Sequence, residues 1–303
     1  MNNVIVTGAT SMIGIATIKA LILHGVRIFA ISRKDSKRRC ALPTSELITY
    51  IECDLDSLGK INFEEACDTL FHFGWGFTDR TTRDNPYLQL KNVQYTLDAV
   101  ELAKRSGCKV FIGAGSQAEY GFQNNLIDEN AQERPTVCYG ITKLAAGKLA
   151  RKLCEQYEML CIWTRIFSVY GVNDSDNVMT SYAVNQFLKG EKAYFSKGLQ
   201  IWNYLFEEDA GNYFYAIGEN AKESMILNVA GCENKPLREF VQEMVKALGK
   251  DFQYEFSDEE SASYNGIEPC INKLESLTGY VPTVSFEEGI KRILERRISD
   301  EKN

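Results

Sequence analysis

Residues 4–25 of the chain read VIVTGATSMIGIATIKALILHG, and this stretch decides the fold. An apolar run leads into a turn at Gly8, and the residues that follow are apolar at helical spacing until Gly25. Unbroken apolar runs are typical of strands buried on both faces of a sheet, and a glycine after a periodic segment is typical of a helix end. The stretch therefore predicts a strand, a tight turn and a helix.

The same alternation continues to about residue 170. Further apolar runs predict strands at 27–33, 48–55, 69–75, 109–116 and 161–167, and apolar periodicity predicts helices at 92–107 and 139–157. Apolar strands separated by helices form a parallel sheet with helices on both faces, and right-handed crossovers make that sheet doubly wound. The predicted fold class is therefore α/β, a Rossmann-type doubly wound parallel sheet.

Beyond residue 170 the alternation weakens. Helical stretches at 178–189, 208–219, 236–249 and 286–298 are mixed with short strands at 193–195, 226–229 and 252–256. This pattern predicts a first domain at 1–170 and a smaller, mostly helical part at 171–303 that shares some elements with the first.

The composition excludes several classes of protein. The 303 residues include 34 Lys and Arg against 41 Asp and Glu, which gives a net charge of −7. This balance argues against binding to nucleic acid or to a membrane surface, and no apolar run is long enough to span a bilayer. Nine scattered cysteines and a start without signal-peptide character predict a reduced, cytoplasmic protein. With only two histidines, we expect no metal site.

The turn after the first strand has the chemistry of a dinucleotide-binding site. Gly8 permits a tight turn, and Gly14 permits close packing of the helix on the strand. Backbone N–H groups at the helix start, together with the positive end of the helix dipole, bind a pyrophosphate. The residues expected to contact the cofactor here are Gly8, Thr10, Ser11, Met12, Ile13 and Gly14. An ordinary strand-to-helix turn is the alternative, because a glycine pattern alone is weak evidence.

Two other positions bear on the type of cofactor. The second strand ends in Ser32 and Arg33 rather than in an acid, and an arginine there accommodates the 2′-phosphate of NADP(H). NADP(H) is therefore favoured and NAD(H) is possible, although some of the basic residues that follow are simply solvated surface. Asp54 and Leu55, after the third strand, are candidates to contact the adenine; a turn aspartate is an equally good interpretation of Asp54.

Three side chains point to proton transfer. Ser116 follows the fifth strand, where a doubly wound sheet lines its ligand crevice. Tyr139 and Lys143 are four residues apart, so they share one face of the next helix. Such a pair is usually helix surface, but the glycine turn and Ser116 favour catalysis. Oxidation of an alcohol requires removal of its proton, and we expect Lys143 to lower the pKa of Tyr139 for that task. Ser116 would then orient the substrate oxygen.

The motifs together resemble those of the extended short-chain dehydrogenase/reductase family, the NAD(P)-dependent sugar-nucleotide epimerases, dehydratases and reductases. The stretches that carry the resemblance are TGATSMIG (7–14), LFHFGW (70–75), GSQAEYG (115–121), YGITK (139–143) and TRIFSVYG (164–171), and it extends over nearly the whole chain. It implies catalytic roles for Ser116, Tyr139 and Lys143. It also implies cofactor contacts by Phe73, Gly74, Asn92, Tyr139, Lys143 and Phe167.

Three residues depart from the family pattern. Ser11 replaces the middle glycine of the turn, so either the approach of the pyrophosphate differs or Ser11 donates a hydrogen bond to it. Trp202 stands where many UDP-sugar epimerases carry an arginine that binds the diphosphate, which weakens the epimerase interpretation. Glu119 replaces an apolar residue, and we expect it at the surface rather than against a sugar hydroxyl.

The resemblance implies an enzyme that acts on a nucleotide-activated sugar. The predicted reaction is the reduction of a 4-keto-6-deoxy sugar nucleotide by NADPH, because Arg33 favours a consumable cofactor. The alternatives are an NAD-dependent sugar-nucleotide 4-epimerase and a non-catalytic cofactor-binding protein of the same fold. The substrate contacts are predicted at Ser116, Gln117, Tyr139, Asn177 and Trp202. A homodimer formed through the helices at 92–107 and 139–157 is the family expectation. His72, inside an apolar strand, is predicted to be a buried, hydrogen-bonded residue rather than a catalytic one.

Overall fold

The structure is a computed structural model, and it describes residues 1–36, 38–123, 126–176, 178–249, 251–258 and 266–301. Asn177, a predicted substrate contact, lies outside these residues. The strands are β1 Asn3–Thr7, β2 Arg27–Ser32, β3 Ile48–Glu52, β4 Thr69–His72, β5 Val110–Ala114, β6 Leu160–Ile166, β7 Val169–Tyr170, β8 Ala193–Phe195, β9 Ile201–Asn203, β10 Leu205–Phe206, β11 Met225–Val229, β12 Asn234–Pro236 and β13 Tyr254–Phe256. The α-helices are α1 Met12–Leu23, α2 Pro86–Arg105, α3 Cys138–Gln156, α4 Met179–Leu188, α5 Glu207–Asn220, α6 Leu237–Leu248, α7 Asn272–Thr278 and α8 Phe286–Glu301.

Seven strands form one parallel sheet in the order β11-β6-β5-β4-β1-β2-β3. The chain runs outward from β1 to β3, then crosses back to place β4 on the other side of β1. The strand order therefore reverses between β1 and β4, and the crevice at such a point is where doubly wound folds bind ligands. The predicted fold class is confirmed.

Alternating side chains of each strand enter two different cores. On β1, Val4 and Val6 pack into one core with α1 and α5, whereas Ile5 packs into the other with α2 and α3. Both faces of the sheet are covered, which explains why its strands are apolar throughout. None of the helices in the described ranges is long and apolar enough to cross a membrane.

The C-terminal part does more than pack on the sheet. The predicted strand at 226–229 is β11, and it extends the main sheet by pairing with β6. A third apolar cluster, which includes Tyr170, Phe206, Phe240 and Phe286, lies among α4, α6 and α8. The division into 1–170 and 171–303 stays a prediction, because elements of both segments build one sheet.

The predicted start of α2 at residue 92 is wrong by two turns. The side chain of Asn85 accepts hydrogen bonds from the N–H groups of Tyr87 and Leu88, at 3.1 Å each, and Pro86 occupies the first helical position. An asparagine cap followed by proline is a standard helix start. Asn92 therefore lies inside the helix rather than at its beginning.

Candidate active site

The carboxyl ends of β1, β4 and β5 bring three segments to one edge of the sheet. These are the glycine turn at 8–14, the loop at 73–77 and the segment that begins at Ser116, with α3 following the last of them. These segments are far apart in the sequence, and the pairing of the parallel strands brings them together.

The glycine turn packs tightly against the loop after β4. Gly8 has a φ of +67°, and a Cβ added there would lie 2.5 Å from the backbone nitrogen of Gly74. A Cβ on Gly14 would collide with the carbonyl oxygen of Gly8. Side chains are therefore excluded from both positions, as the sequence predicted, and the turn presents backbone to the crevice.

Ser11 has a defined task in this turn. It is the N-cap of α1, and its Oγ accepts a hydrogen bond from the N–H of Gly14 at 3.0 Å. The first-turn N–H groups of Met12 and Ile13 have no carbonyl within the helix to bind. These donors and the helix dipole can bind a pyrophosphate. The residues of the turn therefore fit the dinucleotide cofactor that the fold implies.

The residues predicted to contact the adenosine half lie next to the turn. The Leu55 side chain packs so closely on Gly74 that a Cβ there would lie 2.6 Å from its Cδ2. Asp54 and Arg33 are exposed at the strand ends. Ser36 donates a hydrogen bond to Thr10 at 2.7 Å, which folds the segment after β2 onto the turn.

Two buried amides of α2 fix the loop after β4. Asn92 accepts from the N–H of Gly76 at 2.7 Å and donates to its carbonyl at 3.1 Å. Gln89 accepts from the indole N–H of Trp75 at 3.1 Å and donates to the carbonyl of Phe77 at 2.6 Å. Phe77 has a φ of +59°, a conformation that is uncommon for a bulky residue and concentrates at functional sites. The Asn92 side chain therefore fixes the backbone of this loop.

His72 is buried and hydrogen-bonded, which confirms the prediction. Its Nδ1 lies 2.7 Å from the Thr7 hydroxyl on the neighbouring strand. Burial lowers the pKa of His72 to about 3, with a smaller contribution from Lys143, so the ring is neutral at physiological pH. His72 therefore joins β1 and β4 beneath the crevice.

Ser116 begins a short 3₁₀-helix, Gln117–Glu119, and its hydroxyl faces Tyr139. Its Oγ accepts from the N–H of Ala118 at 3.2 Å. The Ser116 side chain lowers the pKa of the phenol. A Cβ added to Gly140 would lie 2.4 Å from the carbonyl oxygen of Ala118, so the first turn of α3 packs directly on the short helix that Ser116 caps. The structure thus brings these two predicted catalytic side chains together.

The cation beside Tyr139 differs from the predicted one. Burial raises the pKa of Tyr139, and the charge of Arg83 is the largest opposing influence, with the Arg83 guanidinium 4.2 Å from the centre of the phenol ring. Lys143 is not among the influences on this pKa in the structure, and its predicted effect on Tyr139 stays a prediction. The Lys143 amine lies 5.8 Å from the centre of the Tyr139 ring and donates to the carbonyl of Ala114 at 2.5 Å.

Lys143 is itself strongly perturbed. Burial lowers its pKa to about 7, Arg83 adds to this effect, and the negative charge of Glu119 opposes it. Its amine lies 3.7 Å from the centre of the Trp75 ring, a cation–π contact that partly replaces lost hydration. A lysine with a pKa near neutrality is typical of a functional site.

The prediction that Glu119 lies at the surface is wrong. Glu119 is 0% exposed, and its carboxylate accepts from the Nε of Arg165 at 2.9 Å and from the indole N–H of Trp163 at 3.0 Å. Residues on β6, more than forty positions along the chain, make this burial possible. The TRIFSVYG motif includes Arg165, but nothing in the sequence indicated Glu119 as its partner.

The remaining predicted contacts, Gln117, Phe167 and Trp202, differ in their surroundings. Gln117 is half-buried next to Ser116. Phe167 is buried in the core that contains Tyr120, and Trp202 packs against the third apolar cluster. Roles for these side chains in ligand binding stay predictions. In the described ranges, no group of three or more His, Cys, Asp or Glu side chains is placed to hold a metal ion.

Comparison with known proteins now decides the family. The model of the NAD dependent epimerase/dehydratase family matches residues 4–230. The chain belongs to this family. The match includes the glycine turn and the Ser116, Tyr139 and Lys143 positions, and it confirms the resemblance that the motifs indicated.

The individual relatives have low sequence identity to this chain, but they align over nearly its whole length. An uncharacterized UDP-glucose epimerase of Bacillus subtilis, YtcB, is 22% identical over 95% of this chain and 95% of its own. A UDP-N-acetylglucosamine 4-epimerase from Methanobrevibacter ruminantium, solved with UDP-N-acetylmuramic acid, superposes with a TM-score of 0.88 at 22% identity over 99% of both chains. A UDP-glucuronic acid 4-epimerase from Bacillus cereus, solved with NAD, gives 0.83 at 20% identity over 97% of this chain and 96% of its own. These structures confirm the fold.

Proposed function

We propose that this protein is an NAD(P)-dependent nucleotide-sugar 4-epimerase, an enzyme that inverts the configuration at C4 of the sugar. The Bacillus subtilis relative is named as a UDP-glucose epimerase, and both solved neighbours are 4-epimerases of UDP sugars. These names support the epimerase, which the sequence analysis gave as an alternative. They do not support the reduction of a 4-keto-6-deoxy sugar, which the sequence analysis favoured.

The observation that carries the proposal is that the first turn of α3, which holds Tyr139, packs on the short helix that Ser116 caps, at the same edge of the sheet as the glycine turn. The Ser116 side chain also lowers the pKa of the phenol. A sugar hydroxyl that enters between them meets a hydrogen-bond donor to its oxygen and an acceptor for its proton. A non-catalytic cofactor-binding protein has no need for a buried serine aimed at a half-buried phenol.

The residues divide the reaction between them. Tyr139 takes the proton of the C4 hydroxyl as the C4 hydrogen leaves, and Ser116 holds the same oxygen while it becomes a carbonyl. A bound nicotinamide supplies the acceptor and then the donor of the hydride. Rotation of the 4-keto sugar presents its other face, and Tyr139 returns the proton to the oxygen. Arg83 and Ser116 favour the phenolate, against the effect of burial.

The same crevice has groups to hold the cofactor. The first-turn N–H groups of α1 would bind the pyrophosphate, Leu55 would contact the adenine, and the ammonium of Lys143 would bind the ribose of the nicotinamide half. Ser32 and Arg33 at the end of β2 favour the 2′-phosphate of NADP(H), whereas the Bacillus cereus neighbour was solved with NAD.

A second candidate function rests on that arginine. An epimerase recycles its cofactor, whereas a reductase consumes NADPH, and Arg33 suits the consumable form. The second candidate is therefore the NADPH-dependent reduction of a 4-keto sugar nucleotide by the same Ser116 and Tyr139.

We also infer a homodimer. Large apolar side chains are exposed on α2 and α3, the two helices predicted to form the interface: Tyr87, Leu90, Ile141 and Leu149. An apolar surface of this kind on neighbouring helices favours association with a second copy of the chain. Light scattering of the purified protein tests this inference, and a monomer at micromolar concentration contradicts it.

One experiment separates the candidate functions. The purified protein is incubated with UDP-glucose, UDP-N-acetylglucosamine or UDP-glucuronic acid, without added cofactor and with added NAD⁺, and the C4 epimers are quantified by NMR. An epimerase brings one of these sugars to a mixture of both epimers. If no epimer forms, and NADPH is instead oxidised in the presence of a 4-keto sugar nucleotide, the reductase replaces the epimerase.

A further inference from the structure

A buried acid lies three residues from the candidate catalytic serine. The Glu119 carboxylate accepts from the N–H of Ser116 at 2.8 Å, and Ser116 caps the same short helix. The indole N–H of Trp163 and the Nε of Arg165 complete the set of donors, at 3.0 and 2.9 Å. A carboxylate with these partners is fixed in position.

The fold is shaped to hold this arrangement. The Trp163 ring lies in a slot lined by glycines: a Cβ on Gly147 of α3 would lie 2.5 Å from its Cε2, and a Cβ on Gly113 of β5 would collide with it. A Cβ on Gly115 would collide with both the indole nitrogen and the Glu119 carboxylate. Three glycines, one on α3, one on β5 and one just after β5, therefore make room for one hydrogen-bonded indole.

Arg165 continues the network away from the crevice. It is 1% exposed, and its Nη2 pairs with Glu133, which also pairs with the exposed Lys148. Its guanidinium packs 4.4 Å from the centre of the Tyr120 ring. The network thus has two carboxylates on one arginine, of which only Glu119 touches Ser116.

The charged groups around Lys143 give Glu119 a second consequence. Tyr139 lies on the same helix, Arg83 on the loop before α2, His72 on β4 and Glu119 on the short helix. Lys143 and Glu119 bind the same short stretch of backbone, because the amine donates to the carbonyl of Ala114 and the carboxylate accepts from the N–H of Ser116. Burial raises the pKa of Glu119, and Arg165 and the hydrogen bonds from Ser116 and Trp163 oppose this effect. Since His72 is neutral and Arg83 is positive, Glu119 is the group in this set that raises the pKa of Lys143.

We propose that Glu119 is a positioning residue of the active site, which fixes the backbone of Ser116 and places a carboxylate next to the backbone stretch that the Lys143 amine binds. The inference rests on the proposed function for the roles of Ser116 and Lys143. It gives the buried Glu119–Arg165 pair a task in catalysis rather than in stability alone.

The test compares Glu119→Gln with Glu133→Gln. Both substitutions remove a carboxylate from Arg165 and keep the side-chain volume, but only the first faces Ser116 and Lys143. We expect both variants to melt at a lower temperature. Only Glu119→Gln should lose about ten- to a hundredfold in kcat, with KM little changed, since a small misplacement of a catalytic group has costs of that order.

The pH dependence gives an independent readout. Without Glu119, the remaining influences on Lys143 both lower its pKa, so the ammonium is lost at a lower pH. The decline of NADPH and NAD⁺ affinity on the alkaline side, measured by calorimetry, should move to lower pH in Glu119→Gln and stay in place in Glu133→Gln. This measurement needs no substrate, so it tests the proposal even where no nucleotide sugar is turned over.

A double variant separates the effect of Glu119 on the active site from its effect on stability. Arg165→Met in the Glu119→Gln background removes a buried charge that has lost one of its two carboxylates, so the melting temperature should recover in part while the alkaline shift persists. If the shift disappears with the recovery of stability, or if Glu119→Gln and Glu133→Gln give the same profiles, Glu119 is structural only and the proposal is overturned. If the wild type has no epimerase activity but the shift is present, the proposed function fails and the role of Glu119 toward Lys143 stands.

Discussion

The two ends of the crevice are built from different materials. At the cofactor end, Gly8, Gly14 and the first turn of α1 present backbone, and side chains are excluded. At the reaction end, Tyr139 and Lys143 are surrounded by charged and aromatic side chains from the loop after β4, the turn before α2 and the short helix after Ser116. A backbone site depends on local conformation, whereas a charged site depends on what the fold brings around it. Substitutions at the two ends should therefore fail in different ways.

The largest effect is expected at the reaction end. Tyr139→Phe removes the proton-transfer group and should lower kcat by about 10²–10⁴-fold, while cofactor affinity changes little. Steady-state kinetics and dinucleotide titration measure the two effects. Tyr157→Phe, after the last turn of the same helix, is the control and should keep normal turnover. Near-normal activity of Tyr139→Phe would remove the proton-transfer assignment.

Gly8→Ala tests the cofactor end. The new Cβ would meet the backbone of Gly74, so we expect a loss of about 3 kcal/mol or more in the free energy of unfolding, together with weak dinucleotide binding. Gly25→Ala is the matched control: it also has a positive φ, +72°, but no heavy atom lies within 4 Å of its added Cβ. Strain alone should cost it about 1 kcal/mol in urea unfolding. Equal losses would mean that the close approach to Gly74 is unimportant.

Arg33→Ala sharpens the cofactor assignment. If the guanidinium binds a 2′-phosphate, NADPH affinity should fall about tenfold or more and NADH affinity should stay constant, since a hydrogen bond to a charged group contributes about 1.5–3 kcal/mol. Lys34→Ala, at the next exposed position, is the control. Parallel losses for both nucleotides would show that Arg33 is solvated surface.

The smallest effect is expected for Arg83→Gln. Arg83 lowers the pKa of both Tyr139 and Lys143, so its removal raises both. The acid and alkaline limbs of the kcat/KM profile should both move to higher pH. We expect about a two- to fivefold loss at neutral pH, the range of an exposed cation–π contact. Arg80→Gln removes the same charge from the same loop, and an equal shift in that control would argue for a general charge effect.

The sequence predicted the backbone end of the crevice well because its signals are local. Gly8, Ser11 and Gly14 lie in one short stretch, and strand, turn and helix follow in order. The positions of Ser116, Tyr139 and Lys143 were also predicted, since each follows from where an element ends or begins.

The charged surroundings of Tyr139 and Lys143 could not be predicted from local sequence signals. Glu119 was predicted at the surface because a lone acid in a loop usually lies there, but Trp163 and Arg165 on β6 enclose it. Neither Arg83 as the main charge acting on Tyr139 nor Ala114 as the acceptor of the Lys143 amine was predicted, because the spacing of two residues fixes only the helix face that they share. The contact between Arg83 and Tyr139 crosses more than fifty residues of chain and has no local signal.

The most direct test of the central claim follows the hydrogen at C4. UDP sugars with deuterium at C4 are incubated with the wild-type protein in ordinary water, and both epimers are analysed by mass spectrometry and NMR. If Tyr139 and Ser116 act on the C4 hydroxyl while a bound nicotinamide carries the hydride, the deuterium is kept at C4 in both epimers. Formation of the second epimer with loss of deuterium to water would contradict this account.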